Sequence, residues 1–204
     1  MSRSGQRGMS LIELMVTITI LAILIVLGLP SFQQWILNTR IRTVTESIQN
    51  GLRLARNEAA QRSTNVRFQL TSAGSWEVCV LPASASSAAT YTSCTGAYST
   101  VQTYSSPSAT STVQVGTSTA TSEIATTAYS NIVSGGLPAG ITFNSLGRPS
   151  DYGNTSILRI DVTASNTSEQ SASRRLVTTI SPGGMVNMCD PALTFSTTSP
   201  QGCP

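Results

Sequence analysis

The feature that most constrains this chain is an uncharged apolar run near its N-terminus. Residues 14–39 contain no charged side chain, and residues 14–29 are almost wholly Leu, Ile, Val, Ala and Met. A helix rises 1.5 Å per residue, so about 20 such residues cross the roughly 30 Å hydrocarbon core of a bilayer. Residues from Met9 to about Phe32 supply that length, and we assign residues 9–36 to a membrane-spanning helix.

The charges around this run indicate its orientation. Arg3 and Arg7 precede it, and no A-x-A-like cleavage site follows it, so it does not resemble a standard secretory signal. Basic residues ahead of a span favour a cytoplasmic N-terminus. The bulk of the chain is therefore predicted to lie outside the cytoplasm, although Arg40 and Arg42 beyond the run partly oppose this orientation.

Glu13 is chemically out of place one turn into the apolar helix. A carboxylate in lipid costs about 2.5–3.5 kcal/mol on insertion scales, so it marks a function with a specific partner. If the chain were cut after Gly8, Glu13 would be the fifth residue, and its natural partner would be the new amine of Met9 on a neighbouring subunit. The alternative is an interfacial Glu that headgroups keep hydrated.

The segment Gly8-Met9-Ser10-Leu11-Ile12-Glu13-Leu14-Met15-Val16 resembles the class III signal of type IV prepilins and pseudopilins. The resemblance implies cleavage between Gly8 and Met9 by a membrane aspartic prepilin peptidase. It also implies N-methylation of Met9 and packing of the apolar helix in a filament core. Most family members have Phe where this chain has Met9.

Pro30 stands where pilins commonly carry a proline. A proline inside a helix removes one hydrogen bond and loosens or kinks the preceding turn. The other interpretation is that Pro30 marks the exit from the membrane, and the two are compatible.

Beyond Pro30 the apolar residues recur every three or four positions, which is typical of one helical stripe. The pattern predicts that the helix continues to about Gln61 and packs its inner face on a sheet. Arg42, Arg53 and Arg56 then occupy a solvated flank with Glu46. The stripe consists of Leu37, Ile41, Val44, Ile48, Leu52, Ala55 and Ala59.

A second motif narrows the resemblance. Residues 51–62, GLRLARNEAAQR, followed by Val66-Arg67-Phe68, resemble the GspH/FimT branch of the pseudopilins. This branch combines a long helix with a β-rich head.

The remainder of the chain contains several short runs of alternating apolar and polar residues, which predict half-buried antiparallel strands. The predicted fold class is α+β: a long N-terminal helix packed on a β-rich head of antiparallel strands in two sheets, with the head spanning residues 37–204. The predicted strands are residues 66–70, 76–80, 141–143, 158–162, 176–180 and 185–188, with turns at 135–140 and 182–184.

A low-complexity insertion interrupts the head at about residues 83–122. No charged residue lies between Glu77 and Glu123, and Ser, Thr and Ala dominate. Such a composition offers little apolar surface to offset the entropy of ordering. We expect a loop with one or two edge strands.

Four cysteines, at 79, 94, 189 and 203, lie in the part placed outside the cytoplasm. An even number in an oxidising compartment indicates two disulfides, for which three connectivities are possible. We favour the local pairs, Cys79 with Cys94 and Cys189 with Cys203. With no His and no C-x-x-C motif, neither a zinc site nor an activated catalytic thiol is expected.

Catalysis has little support in this sequence. The chain has no Lys and no His among its 204 residues, which removes the commonest bases and nucleophile partners. Asp151, Asp161, Glu169 and Asp190 are isolated carboxylates that we expect in turns or on the surface. We therefore expect no enzyme activity, no cofactor, no metal and no small-molecule substrate.

The resemblance implies a minor pilin or pseudopilin that primes or builds a type IV pilus or related filament. Its expected location is a bacterial inner membrane, crossed once, with the head in the periplasm or in the filament. Its expected partners are other pilin-like subunits and the prepilin peptidase. One alternative function is that of the H-type pseudopilin of type II secretion.

The other alternative is a DNA-binding minor pilin for natural transformation. DNA-binding relatives carry a Gly-Arg-x-Arg motif, but the corresponding stretch here, residues 183–189, contains no Arg. Only Arg148, Arg174 and Arg175 remain as candidates, and only if the fold brings them together. So few phosphate contacts predict weak, nonspecific DNA binding at physiological salt.

Overall fold

The structure is a computed structural model that describes residues 9–82, 93–95, 97, 99–106, 112–125 and 128–204. The chain divides into two compact units, Met1–Ile36 and Leu37–Pro204. The expected insertion at 83–122 falls partly outside the described residues.

Helix α1, Leu11–Arg62, begins in the first unit and ends in the second. In the first unit its large apolar side chains are exposed from Leu11 to Leu29. Its most apolar window has a mean hydropathy of 2.7, and in the described part of the chain it is the one helix long and apolar enough to cross a membrane. The helix continues without a break through Pro30.

In the second unit, α1 buries one stripe of its surface, and every predicted stripe position is buried. The helix ends at Arg62, one residue past the predicted end. Ser63 adopts a φ of 51° and the Thr64 N–H donates to the carbonyl of Ala59, a left-handed C-terminal cap. The buried stripe is Leu37, Ile41, Val44, Ile48, Leu52, Ala55 and Ala59.

In the part of the chain that the structure describes, nine strands form two sheets. Each of the six predicted strands is present. The strands are β1 Val66–Ser72, β2 Ser75–Val80, β3 Ser99–Tyr104, β4 Val113–Ser118, β5 Ala139–Phe143, β6 Arg159–Ala164, β7 Leu176–Ile180, β8 Val186–Thr194 and β9 Gly202–Cys203.

The first sheet has the order β3-β2-β1-β5 and the second the order β4-β6-β7-β8-β9. All pairings between neighbours are antiparallel except β8 with β9. A short helix α2, Thr167–Gln170, follows β6, and two 3-10 turns, Thr121–Ile124 and Ala128–Ser130, follow β4. The predicted α+β fold with two largely antiparallel sheets is confirmed, and the insertion supplies the edge strands β3 and β4.

One apolar core joins the helix stripe to the inner faces of both sheets. The ring of Trp76 lies 5.8 Å from that of Phe68 and 5.6 Å from that of Tyr104. Its indole N–H donates to the Ser47 hydroxyl at 3.0 Å. This bond satisfies the one polar group of a buried Trp and fixes the height at which α1 lies on the first sheet.

The outer faces of two strands are buried as well, contrary to the prediction of half-buried strands. Every residue of β6 is buried, including Arg159 and Asp161. On β1, Arg67 and Gln69 are buried, and the Gln69 side-chain oxygen accepts the Cys94 N–H at 2.7 Å. Burial lowers the pKa of the Arg67 guanidinium. Loop segments cover these faces. The polar residues that alternate with the apolar ones along β1 and β6 are therefore buried.

Two disulfides join Cys79 to Cys94 and Cys189 to Cys203, the two local pairs. The first attaches residues 93–95 to β2, and Leu81 and Ala97 pack beside this disulfide. The second links β8 to β9 at the C-terminus. The bridged cysteines are 15 and 14 residues apart in sequence.

We predict that Gly51→Ala destabilises the head. A Cβ at residue 51 would lie 2.6 Å from the Phe68 ring and 2.9 Å from the Trp76 ring. Overpacking of this kind costs about 1–3 kcal/mol, whereas helix propensity alone would add about 1 kcal/mol of stability. Denaturant unfolding of the full chain in detergent, followed by circular dichroism, measures the sign.

Gly183→Ala is the matched control, because a Cβ there would meet only the Ser181 hydroxyl at 3.8 Å. Its stability is expected to stay close to that of the unsubstituted protein. A Gly51→Ala protein as stable as the control would show that the rings yield without cost.

Candidate functional site

The residues of the predicted processing and assembly segment lie at the start of α1. Gly8 falls outside the described residues. Met9 is exposed just before the helix, and Glu13 is exposed in its first turn. A carboxylate in a first turn interacts favourably with the helix dipole. An exposed acid thus lies within one turn of Met9, at the end of a helix whose other exposed side chains are mostly apolar.

A buried ion pair forms the strongest electrostatic feature of the head. The guanidinium of Arg159 donates to both carboxylate oxygens of Asp161, at 2.7 and 2.9 Å, and neither side chain is exposed. The two residues are on the same face of β6 because they are two positions apart. Such a bidentate geometry is the strongest form of this pair.

Arg159 also holds the segment between β4 and β5 by its backbone carbonyls. Its guanidinium donates to the carbonyls of Glu123 at 2.8 Å, Ala128 at 3.0 Å and Asn131 at 2.7 Å. The ring of Tyr129 lies 5.2 Å from the guanidinium carbon. The buried charge therefore holds residues 121–125 and 128–133 across the outer face of the second sheet.

Arg175 completes this cluster from β7's N-terminal side. It pairs with Asp161 at 3.2 Å and donates to the carbonyls of Asn131 and Tyr129. Burial lowers the pKa of Arg175, and the Asp161 charge opposes that shift. Burial likewise raises the pKa of the Tyr129 phenol, against the effect of Arg159. Both shifts follow from removal of the cluster from water.

These contacts correct two sequence predictions. Asp161 and Asp190, expected in turns or on the surface, are buried and ion-paired, Asp190 with Arg174. The other two carboxylates lie as expected, Asp151 in a turn and Glu169 exposed in α2.

The three arginines proposed for nucleic-acid binding have different surroundings in the structure. Arg174 and Arg175 are held by Asp190 and Asp161, whereas Arg148 is exposed in a turn after β5. No contact described in the structure joins Arg148 to the other two.

We predict that Asp161→Asn strongly destabilises the head. The substitution keeps the shape of the side chain but leaves Arg159 and Arg175 buried without their shared carboxylate. Removing one partner of a buried pair costs about 3–5 kcal/mol. Denaturant unfolding of the full chain in detergent provides the measurement.

Glu46→Gln is the control, since it removes the exposed pair of Arg42 with Glu46. An exposed pair contributes about 0–1 kcal/mol. If both variants lose the same stability, the charge of Asp161 does not hold the cluster together.

A second cationic feature is a groove between α1 and the turn that precedes β8. The groove has a volume of about 280 Å³, and its lining consists of Arg53, Arg56, Asn57, Gly184, Met185, Val186 and Asn187. We call it the arginine groove. It lies where the predicted turn at 182–184 approaches the helix flank.

Arg56 connects the turn at residues 182–184 to a second turn, at residues 144–147. Its Nε donates to the carbonyl of Gly147 at 3.2 Å and its Nη2 to that of Gly183 at 3.5 Å. Gly147 and Gly184 have φ values of 69° and 76°, and a Cβ on Gly184 would lie 2.1 Å from the Gly147 carbonyl oxygen. Only glycine permits this close approach, so the turns are held together at the floor of the site.

The sequence did not single out this groove. Arg56 was expected on a solvated flank, yet it is half-buried and bonded to residues 91 and 127 positions away. The usable signal was the pair of glycine-containing turns, because close backbone approach is a common reason for glycine in a turn.

Among the described residues no cluster of three metal-ligating side chains occurs, and all four cysteines are in disulfides. The arginine groove presents guanidinium donors, which suit carboxylates and other anions.

Two family models match the chain. The prokaryotic N-terminal methylation motif matches residues 3–29, and the model described as type II transport protein GspH matches residues 44–184. Among solved structures, the type IV minor pilin FimU of Pseudomonas aeruginosa is 14% identical over 81% of this chain and 96% of that chain, with a TM-score of 0.43. No curated protein matches significantly.

Proposed function

This chain belongs to the GspH family, and from that membership we propose that it is a minor pilin or pseudopilin. In this proposal it is a structural and priming subunit in the assembly of a type IV pilus or a related filament. It carries an N-terminal methylation motif at residues 3–29, as filament subunits of this class do.

The observation that carries the proposal is the exposed apolar surface of α1 behind Glu13. Every large apolar side chain from Leu11 to Leu29 is exposed in the single chain. Such a surface needs lipid before assembly, and packing against like helices afterwards can replace the lipid.

Processing precedes assembly in this proposal. A prepilin peptidase of the bacterial inner membrane cuts between Gly8 and Met9, and Met9 is then methylated. The head lies in the periplasm. The carboxylate of Glu13 pairs with the terminal amine of a neighbour's Met9, and this pairing offsets the cost of a charge in the apolar core and sets the register between subunits.

Two alternatives differ in their support. The description of the matching family favours the H-type pseudopilin of type II secretion as the nearer one. DNA binding has less support, because Arg174 and Arg175 are already in ion pairs. Catalysis has none, since the chain lacks Lys and His.

The processing step has a direct test. Intact-mass analysis of the protein from its native host is expected to give a chain that lacks residues 1–8 and carries one methyl group on Met9. Substitution of Gly8 by Ala serves as the control, because it should block the cut. Recovery of full-length chain alone from the unsubstituted protein would contradict the proposal.

We further predict that Glu13→Leu enters the membrane normally and fails to enter filaments. The substitution removes a charge from the apolar segment, so insertion becomes easier by about 2.5–3.5 kcal/mol, while the partner of the neighbour's amine is lost. Membrane fractionation measures insertion, and immunoblots of sheared pili and of the secretion pseudopilus measure incorporation.

Thr17→Leu is the matched control. Thr17 is one turn further along α1, and its hydroxyl donates only to the helix's own Leu14 carbonyl at 2.8 Å. This variant adds the same apolar side chain without removing a charge, and normal incorporation is expected. Normal incorporation of Glu13→Leu would mean that the carboxylate does not set the register.

A further inference from the structure

The arginine groove carries positive charge that the head does not neutralise. Arg53 is exposed, and the structure describes no hydrogen bond or ion pair for its side chain. Arg148 is exposed in the adjoining turn, next to Gly147, which receives Arg56. The acids nearest in sequence on α1 are already paired, Glu46 with Arg42 at 2.7 Å and Glu58 with Arg62 at 2.5 Å.

Two apolar side chains project beside these charges. Leu146 is 74% exposed and Met185 is 57% exposed. Each is presented by a turn with its own hydrogen bonds: Asn144 accepts the Leu146 N–H at 3.0 Å, and the Ser181 hydroxyl accepts the Met185 N–H at 3.1 Å. The close approach of Gly147 to Gly184 places the two turns together. Met185 therefore lines the groove, and Leu146 lies in the turn that contacts it.

This combination favours a protein partner over a nucleic acid. Two or three arginines neutralise too few phosphates to bind DNA tightly at physiological salt. Exposed Met and Leu gain nothing from a phosphate backbone, whereas Arg and Met are enriched in the cores of protein interfaces. A carboxylate between guanidinium groups forms bidentate, charge-assisted hydrogen bonds.

We propose that the arginine groove docks an acidic segment of a different filament subunit. A carboxylate of that subunit lies between Arg53 and Arg56, and an apolar neighbour packs on Leu146 and Met185. A second copy of this chain fits less well, because five of the eight acids in residues 37–204 are already in ion pairs. The inference rests on the proposed function, since assembly brings heads of different subunits side by side.

Site-specific photo-crosslinking in the native host tests this contact. The full-length protein carries a benzophenone amino acid in place of Met185, and the cross-linked peptide is identified by mass spectrometry. We expect one product, joined to an Asp- or Glu-containing peptide of another filament subunit. Arg53→Glu is expected to lower its yield by at least about tenfold, since breaking a desolvated charge pair weakens binding strongly.

Arg42→Glu is the matched control. Arg42 and Arg53 are eleven residues apart, so they share one face of α1 about 16 Å apart, and Arg42 is also exposed. This variant should leave the yield unchanged. Changing the mapped acid of the partner to Arg should restore the yield in Arg53→Glu.

The outcomes separate this inference from the proposed function. Incorporation into filaments without a cross-link from Met185 overturns the groove alone. So does a cross-link to nucleic acid, lipid or a second copy of this chain, or an equal loss in Arg42→Glu. Absence of the unsubstituted protein from every filament fraction overturns the proposed function and the groove together.

Discussion

The contact between the second half of α1 and the two sheets is the interaction on which the rest of the head depends. Each large side chain in a buried stripe contributes about 1.5–3 kcal/mol of transfer free energy, and this stripe reaches both sheets through one core. From Leu14 to Leu29 the side chains of α1 are mostly apolar on all sides, whereas from Leu37 onward one stripe of the helix is apolar and buried. Its surface therefore changes from one suited to lipid to one suited to a protein core.

Local periodicity predicted most of the fold because it reports which residues share a face. The stripe from Leu37 to Ala59 and the strands around Phe68 follow from spacing alone. Periodicity does not report what covers a face, and the errors at Arg159 and Asp161 have this origin. Their outer face is covered by residues 121–125 and 128–133, which bind through backbone carbonyls. Every residue has a backbone carbonyl, so the sequence of the covering segment does not indicate that it binds this face.

The candidate functional residues also differ in whether the sequence alone could identify them. Met9 and Glu13 could be found from sequence because their proposed roles depend on a contiguous segment. The sequence could not show which arginines form ion pairs, because a paired and an unpaired arginine are the same residue type. Arg174 has its partner sixteen residues later, whereas Arg56 bonds to a carbonyl 91 residues away. Only the tertiary fold distinguishes Arg53, which is exposed, from Arg175, which is bound on several sides.

The two disulfides have a mechanical consequence. They span 15 and 14 residues, and α1 contains no cysteine, so no covalent cross-link joins the helix to either sheet. Tension applied along α1 is transmitted to the two sheets through the short connection from Arg62 to Val66 and through apolar packing. The resistance to sliding comes from side chains that interlock, as where the rings of Phe68 and Trp76 fit against Gly51. Reduction of both disulfides would therefore leave that resistance to shear intact.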